Sequence, residues 1–530
     1  MSTYSYPGVY IQEIPSAVHT ITGVATSIAA FVGWAPAGPT DRATLVQSWS
    51  DFDNQFGGLD NRSNLGYAVN QFFGNGGQQA YIVRLVVNAA VKLAFPADIL
   101  AVAAHVDVPA SGGGNAFTAT AIDEGEWAGT YGVRIVVNPA DASRFSLLVV
   151  QTPTSSEEIT VESFSNLSML ANDPQSRTAD SVINAARGGS QLIRLSNMSS
   201  TPGALPTPNP LSTPGNPPVP YMLLGGIDGS VLLPGSGDFH TALNSDGTGS
   251  GGVHLLDPIP IFNLLCVPGE TDATTISNLQ HYCHDERAFY IVDSASTDNF
   301  AGLQSGPTGI TGQYSVNSAF YFPWVNAPDP LQQGRIRAFP PCGFVAGLYA
   351  ATDATRGVWK APAGIDAGLT GESGLTTVLT DAQNGTLNVQ AINCLRSFPV
   401  YGDVIWGART LRGNDQVGSE WKYVPIRRLA LFLESSLYDG TQWVVFEPND
   451  EKLWGQIRLN VGAFMQGLFL QGAFQGTTPQ QAYFVKCDVE NNPQASIDQG
   501  IVNILVGFAP LYPAEFVVIQ IQQMAGQLQS

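Results

Sequence analysis

Charged side chains are scarce in this 530-residue chain. Asp, Glu, Lys and Arg together make up 12% of the residues, whereas about a quarter is usual for soluble proteins. The balance is acidic, with 43 Asp and Glu against 23 Lys and Arg and a net charge of −20. An acidic chain binds phosphate backbones poorly, so we expect no direct nucleic-acid partner.

Cysteine and lysine are also rare. The cysteines are odd in number, widely spaced and without a CxxC pair, which predicts reduced thiols and no disulfide framework. Only 5 of the 23 basic residues are lysine. Arginine is common at protein interfaces and lysine is depleted there, so the ratio favours an interface protein, although a genomic base-composition bias would produce it too. The five cysteines are Cys266, Cys283, Cys342, Cys394 and Cys487.

The sequence lacks the segments that direct a chain to or through a membrane. No run of about 18 apolar residues is present, so we predict no direct membrane insertion. The first basic residue is Arg42, which leaves no charged n-region for a secretion signal. We therefore expect a reduced, cytosolic setting and no signal peptide.

Catalytic motifs are missing as well. No lysine follows a glycine, which excludes a Walker A motif, and neither HExxH nor GxSxG occurs. The single GxGxxG, at 247–252, lies in a Ser/Gly-rich stretch with no strand before it, so it favours a flexible loop over a nucleotide site. His281 and His284 would share a helix face, but they lack the further ligands that zinc usually needs. We predict no enzyme activity, no cofactor and no metal site.

Segments with strand and helix patterns alternate near the N-terminus and again after residue 221. Continuous apolar runs are typical of strands buried on both faces of a sheet, and helices between them indicate α/β layering. The predicted fold class is mixed α/β (α+β) in a multidomain chain. The predicted strands are 24–34, 81–87, 261–269 and 288–293, and the predicted helices are 64–74 and 272–284.

The stretch at 91–220 differs from its surroundings. It contains strand-like runs at 131–137 and 144–151, an acidic group at 123–126 that predicts a solvated loop, and a linker at 201–221 with eight prolines. Such a linker is extended and exposed. We predict an inserted β-rich outer module here. The predicted domains are an arm at 1–20, a core part at 21–90, the module at 91–220, a second core part at 221–400, a C-terminal core domain at 401–510 and an arm at 511–530.

The C-terminal third has clear local signals. We predict a helix at 427–437, a strand at 442–446 and a long helix at about 450–472, which Asn449 could cap and whose acidic first turn suits the helix dipole. Strand-like segments also lie at 9–14 and 515–522, near the two ends of the chain. Neither has a hairpin partner in the sequence, and an unpaired strand invites pairing with another chain. Pairing within one chain remains the alternative.

An ordered set of motifs resembles the phage tail sheath family. Each motif is weak alone, but together they are specific, and they cover about 1–90 and 221–525 while leaving the predicted module unmatched. One departure is that Gln456, Leu459 and Gly462 stand where a more charged surface is expected. The matching segments are 6–13, 31–36, 75–84, 322–324, 340–343, 346–347, Asn393, 356–364, 406–410, 424–429 and 443–450.

The resemblance implies a structural subunit of a contractile sheath, in a phage tail or a phage-tail-like contractile injection system. Such subunits polymerise as stacked hexamers around an inner tube and contract to drive that tube through a target envelope. The implied partners are further copies of the chain, the inner tube protein, baseplate and terminator or cap proteins, and other sheath paralogues. The particle would be released or anchored to an envelope.

The resemblance also implies two sets of contact residues. The terminal strands would pair with a sheet of neighbouring subunits, and the long helix would face the inner tube. Two rival classes stay open: a non-contractile tail, capsid or surface-layer assembly protein, and an enzyme such as a hydrolase. The strand residues are Val9, Tyr10, Ile11, Ile14, Phe516, Val517, Val518, Ile519 and Ile521, and the helix residues are Glu451, Lys452, Gln456, Arg458, Leu459, Gly462 and Gln466.

Overall fold

The chain folds into two compact units. The computed structural model describes residues 19–138, 140–152, 158–201, 204–209, 219–244 and 251–520. The sheet unit comprises Ser27–Ala354 and Pro362–Lys422, and the C-terminal unit comprises Met1–Thr26, Thr355–Ala361 and Tyr423–Ser530. Both helices and sheets are present, so the predicted mixed α/β class is confirmed.

The strands of the sheet unit number seventeen among the described residues. They are β1 (Ala29–Trp34), β2 (Thr44–Val46), β3 (Ala80–Leu85), β4 (His105–Pro109), β5 (Asn115–Ala121), β6 (Tyr131–Val137), β7 (Phe145–Gln151), β8 (Ile159–Leu167), β9 (Ile193–Ser196), β10 (Tyr221–Met222), β11 (Leu264–Cys266), β12 (Phe289–Asp293), β13 (Ser318–Phe322), β14 (Val325–Asp329), β15 (Arg335–Phe339), β16 (Ile392–Phe398) and β17 (Gly402–Ile405).

Nine α-helices accompany these strands in the described residues. They are α1 (Trp49–Phe56), α2 (Leu65–Gly74), α3 (Ala89–Ala94), α4 (Ala179–Ile183), α5 (Gly237–Leu243), α6 (Ala273–Asp285), α7 (Phe300–Leu303), α8 (Cys342–Arg356) and α9 (Asp381–Val389). Helix α2 and helix α6 lie where the sequence predicts them.

An eight-stranded sheet forms the centre of the sheet unit, in the order β17-β16-β13-β12-β11-β1-β3-β2. Its six inner strands run parallel and its two edge strands are antiparallel. Every residue of β1, β11 and β12 is buried. The continuous apolar runs in the sequence therefore correspond to strands covered on both faces, as parallel strands usually are.

Two smaller antiparallel sheets lie within residues 105–222. One has the order β4-β5-β9 and the other the order β10-β6-β7-β8. They enclose a separate apolar core in which Phe117, Phe145 and Leu147 are fully buried. A third antiparallel pair, β14 with β15, forms a hairpin.

Arg84 connects the large sheet to the loop at 123–126. Its guanidinium is buried, and it donates to the carbonyl oxygens of Ala35 at 2.8 Å, Gly38 at 2.6 Å, Pro36 at 3.1 Å and Glu124 at 3.0 Å. The prediction of a solvated acidic loop is wrong for Asp123 and Glu124, which are half-buried beside this contact, whereas Glu126 is exposed as predicted.

The C-terminal unit is built on two long helices. Its elements are α10 (Val424–Gly440), α11 (Glu451–Leu470), α12 (Pro479–Ala482), α13 (Gln494–Asp498), β18 (Tyr483–Lys486) and β19 (Leu505–Phe508). The α11 side chains that pack into the core, among them Trp454, Ile457, Val461 and Met465, recur at helical spacing as the sequence indicates. The cap is Asp450, whose carboxylate accepts from Leu453 N at 2.9 Å. Asn449 accepts from the Trp454 indole instead.

Residues 19–26 run along α10. The amide of Val24 donates to Ser436 Oγ at 3.2 Å, and Arg428 donates to the carbonyl oxygen of Thr26 at 2.8 Å. At the far end of α10, the His19 ring stacks on Trp443 with centroids 4.2 Å apart. His19, the first described residue, therefore lies beside Trp443.

The strand predicted at 442–446 is wrong. Gln442–Val444 form a short 3-10 helix. The amide of Val445 donates to the carbonyl of Gln442, and that of Glu447 donates to the carbonyl of Val444. These local bonds close two successive turns, so the β-branched and aromatic residues have no partner strand. At the other predicted strand, residues 515–520 make no strand pairing with any other described residue.

Candidate assembly surfaces

A sheet of only two strands lies in the C-terminal unit. Strands β18 and β19 pair antiparallel, with Tyr483 opposite Phe508 and Lys486 opposite Leu505. No third strand joins them in the part of the chain that the structure describes. Two-stranded sheets are marginal in isolation, and their free edges are ready templates for another strand. The exposed side chains of Phe484 and Leu505 add apolar surface to this sheet.

The C-terminal segment presents four consecutive large apolar side chains to solvent. Phe516, Val517, Val518 and Ile519 are between 75% and 81% exposed. The segment is fastened just before them, where Tyr423 donates to Glu515 Oε2 at 3.1 Å. These are four of the predicted strand residues.

The described residues nearest to the two chain ends are anchored at opposite ends of α10. Glu515 is bound at Tyr423, the N-cap of α10, and His19 lies on Trp443, just past its C-terminus. A 17-residue helix is about 25 Å long. The two anchored residues, Glu515 and His19, are therefore separated by roughly that length. The remaining predicted strand residues, Val9, Tyr10, Ile11, Ile14 and Ile521, lie outside the described residues.

Helix α11 carries the seven predicted tube-contact residues on the part of its surface that does not form the core. Three of them are exposed and four are half-buried. Arg458 donates to Glu451 Oε1 at 2.7 Å, and Tyr483 donates to Gln466 Oε1 at 2.9 Å. The helix has no charged residue after Arg458. The exposed three are Glu451, Lys452 and Leu459, and the half-buried four are Gln456, Arg458, Gly462 and Gln466.

Two glycines in the interior of α11 have free space beside their Cα atoms among the described residues. A Cβ atom added at Gly462 or at Gly467 would meet nothing within 4 Å. Glycine in a helix interior costs about 1 kcal/mol relative to alanine. The helix therefore forgoes stability at positions where this chain leaves room for a side chain.

A surface feature that the sequence analysis missed follows α10. Phe446 is 102% exposed and Val445 is 60% exposed. The backbone of Phe446 has a φ of 71°, a left-handed conformation that bulky residues rarely adopt. We call residues 445–447 the knuckle. The available signal was the apolar run at 443–446 next to Pro448, which also fits a strand.

The groups considered for metal or nucleotide binding have ordinary surroundings. His281 stacks on Tyr314 with centroids 4.3 Å apart, and both His281 and His284 lie near the exposed carboxylate of Asp285. Within the described ranges, no cluster of three or more His, Cys, Asp or Glu residues could hold a metal ion. Residues 247–250 of the GxGxxG motif fall outside those ranges. All five cysteines are buried and free of disulfides.

Three comparisons with known proteins identify relatives. Residues 416–524 match the family described as "Phage tail sheath C-terminal domain". This stretch is similar to the C-terminal domain of phage tail sheath proteins. It contains α10, α11, the knuckle, the β18–β19 pair and the segment 516–519, whereas His19 lies outside it. The resemblance to tail sheath proteins that the sequence motifs predicted is confirmed.

Curated relatives share parts of the chain. A tail sheath protein of Vibrio phage KVP40 is 30% identical over 167 residues, which cover 31% of this chain and 23% of the relative. A prophage major tail sheath protein of Pseudomonas aeruginosa UCBPP-PA14 is 26% identical over 269 residues, which cover 49% of this chain and 66% of the relative. The matches thus span less than two thirds of either relative.

Solved structures extend the likeness to nearly the whole fold. The sheath of the extracellular contractile injection system PVC, in its contracted state, gives a TM-score of 0.58 at 22% identity and covers 99% of both chains. The contracted helical sheath of the anti-feeding prophage gives 0.57 at 22% identity, with 98% of this chain and all of the other. The sheath tail protein of Listeria innocua gives 0.58 at 12% identity, with 93% and 97% covered.

No helix in the described residues combines the length and apolar character needed to cross a bilayer.

Proposed function

We propose that this chain is the sheath subunit of a contractile phage tail or tail-like injection system. It polymerises as a helical tube of stacked hexamers around an inner tube, and the tube contracts to drive the inner tube through a target envelope. The observation that carries this proposal is that the C-terminal unit contains both an exposed apolar segment, 516–519, and a two-stranded sheet. Among the described residues, neither the segment nor the outer edges of that sheet have a partner strand. The role of the chain is structural and not enzymatic.

The terminal arms link subunits by strand addition. A segment such as Phe516–Ile519 adds to the free edge of β18–β19 on a neighbouring copy, with main-chain hydrogen bonds for affinity and alternate side chains in contact with that copy. The N-terminal residues Val9, Tyr10, Ile11 and Ile14 act in the same way. This reading is supported because, among the described residues, neither the donor segment 516–519 nor the outer edges of the β18–β19 pair have a partner strand.

The positions of the arms favour two different neighbours. Because Glu515 and His19 are anchored at opposite ends of α10, about 25 Å apart, the two arms contact different copies. Contacts of this kind are head-to-tail and do not close on themselves, so they generate a helical assembly.

Burial of the C-terminal segment makes a large contribution to assembly. Each large apolar side chain contributes about 1.5–3 kcal/mol when it passes from water to a packed interior. Four such side chains contribute about 6–12 kcal/mol per arm, before the cost of ordering the segment is subtracted. That range is sufficient to hold subunits together while each swings as a rigid body.

Helix α11 contacts the inner tube through its non-core surface. Glu451, Lys452 and Arg458 place charge near the start of the helix, and Gln456, Leu459, Gly462 and Gln466 present uncharged surface further along it. Contact through the uncharged part depends weakly on salt, since the Debye screening that weakens exposed ion pairs does not act on apolar packing. Baseplate and cap proteins, with any sheath paralogues, complete the particle, which assembles in the cytoplasm.

Contraction is a shift between two packings of the same subunits and needs no nucleotide. If the contracted state buries ~400 Å² more apolar area per subunit, it is favoured by about 10 kcal/mol per subunit at ~25 cal/mol/Å². Summed over many subunits, this drives the tube.

Electron microscopy of the chain co-expressed with its inner tube tests the proposal. Negative-stain images before and after mild denaturant are expected to contain long narrow tubes and short wide tubes, respectively. A chain that lacks residues 516–530 serves as the control and should form neither. Soluble monomers, closed rings, or tubes of a single length and width under every condition would refute the proposal.

A further inference from the structure

Asp403 differs from the other buried acidic residues of the described ranges. It lies on β17, an edge strand of the large sheet, and is 4% exposed. Each of the other five accepts a hydrogen bond from a backbone N–H or a tyrosine hydroxyl, as buried carboxylates usually must. No donor of this kind contacts the Asp403 carboxylate in the part of the chain that the structure describes. The five are Asp173, Asp228, Glu270, Asp293 and Asp329.

The group that faces Asp403 is a second carboxylate. The carboxyl group of Glu372 lies within hydrogen-bonding distance of the carboxyl group of Asp403. Glu372 is held in place because its Oε2 accepts from the amide of Gly374. Burial and the Asp403 carboxylate raise the pKa of Glu372, and neither residue forms an ion pair with a basic side chain of the described residues. Two like charges therefore face each other without a positive charge that offsets them.

The loop that contains Glu372 is bound to two strands, and we call its residues 364–376 the strap. The amide of Leu369 donates to the carbonyl oxygen of Asp403 at 2.8 Å, on the outer edge of β17. The amide of Asn326, in β14, donates to the carbonyl oxygen of Gly374 at 2.8 Å. The two carboxylates therefore cannot move far apart unless these backbone hydrogen bonds break.

We propose that Asp403 and Glu372 bind a hard divalent cation, Mg²⁺ or Ca²⁺, which ties the strap to the edge of the large sheet. Both ions prefer oxygen ligands, and Mg²⁺ is commonly held by one or two carboxylates while water completes its shell. Glu372 is half-buried, so its outer side is open to that water. The inference does not depend on the proposed function, because it concerns the folded subunit alone.

The cation removes the repulsion that the strap otherwise has to withstand. When the cation is absent at neutral pH, the two charges push Glu372 away from β17 and loosen the strap. The backbone of β17 then becomes accessible, and an open strand edge is a template for unwanted pairing with other chains. The bound ion therefore protects this edge of the sheet.

Thermal unfolding and calorimetric titration of the full chain, first stripped of metal with EDTA, test the site. MgCl₂ or CaCl₂ added at constant ionic strength should raise the thermal midpoint, since a ligand that binds only the folded state stabilises it. Glu372→Gln and Asp403→Asn should each weaken cation binding roughly tenfold or more, because affinity follows the number of charged ligands. Glu420→Gln is the matched control: it removes an exposed carboxylate from the same unit and should respond as wild type does.

Hydrogen exchange shows where the cation acts. The amides of Leu369 and Gly374 should exchange more slowly when either cation is added to wild type, and their exchange should not change in Glu372→Gln. A carboxyl pair that shares a proton would instead give no response to either cation. That result, or a cation-induced rise in the midpoint that Glu372→Gln retains in full, would overturn the proposal.

Discussion

Replacement of Arg84 by methionine should loosen the loop at 123–126 from the large sheet. Methionine keeps most of the aliphatic length of arginine but removes the guanidinium. Four carbonyl oxygens, of Ala35, Pro36, Gly38 and Glu124, then lose a charged donor in a buried place. Nothing else in the side chain can replace those bonds.

The expected loss follows from the number of bonds. A buried polar group left without its partner costs about 1–3 kcal/mol. If two or three of the four carbonyl oxygens were left without a hydrogen-bond partner, the loss would be about 2–9 kcal/mol. That is a large fraction of the 5–15 kcal/mol by which typical domains are stable. Burial lowers the pKa of Arg84 to about 10, so the guanidinium remains charged at neutral pH and its hydrogen bonds are charge-assisted.

Hydrogen exchange of the full chain measures this loss locally. Amides at 35–38 and 123–126 should exchange at least a hundredfold faster in Arg84→Met than in wild type, while β18 and β19 in the other unit should be unchanged. Arg84→Lys is the control: it keeps the charge, but an ammonium group cannot reach all four oxygens, so its effect should be intermediate. Unchanged protection at 123–126 in Arg84→Met would refute the reasoning.

Three further predictions concern other parts of the chain. Gly462→Ala should raise the stability of the isolated subunit by about 1 kcal/mol in thermal unfolding and yet weaken co-sedimentation with the inner tube; equal tube binding would contradict the tube contact. Deletion of residues 516–530 should leave the thermal midpoint of the subunit unchanged and abolish sedimentable tubes, and a fall in that midpoint would indicate pairing within the chain. Burial raises the pKa of Asp293 from 3.8 to about 6, so its stabilising contribution is full below pH 3.8 and is lost as pH rises through 6. Asp293→Asn should flatten unfolding stability between pH 4 and 7, and a retained slope would show that another group titrates.

The sequence predicted the buried parts of the fold better than the surface. Runs such as those of β11 and β12 are apolar throughout because both faces are covered, so composition alone indicates the strand. The core stripe of α11 has the helical period because one face packs inward. The order of strands in the large sheet depends on contacts between segments that are far apart in the sequence. A local sequence pattern therefore cannot predict it.

The knuckle and the loop at 123–126 were misread for the same reason. Apolar residues at 443–446 fit a strand locally, but hydrogen bonds within the turn and the anchoring of Asn449 give them another conformation. Acidic residues beside glycines fit a solvated loop, but Arg84 binds the Glu124 carbonyl and burial raises the pKa of Asp123 to about 6. At 123–126 a partner remote in sequence decides the outcome, whereas at 443–446 local turns and the remote contact of Asn449 with Ile501 act together.

A helical reconstruction of the assembled tube tests the central claim most directly. The account predicts that the two-stranded sheet of β18 and β19 gains strands in the assembly, with residues 516–521 of one copy hydrogen-bonded to the sheet of another. A tube in which that sheet still has two strands, or in which 516–521 pair within their own chain, would contradict it.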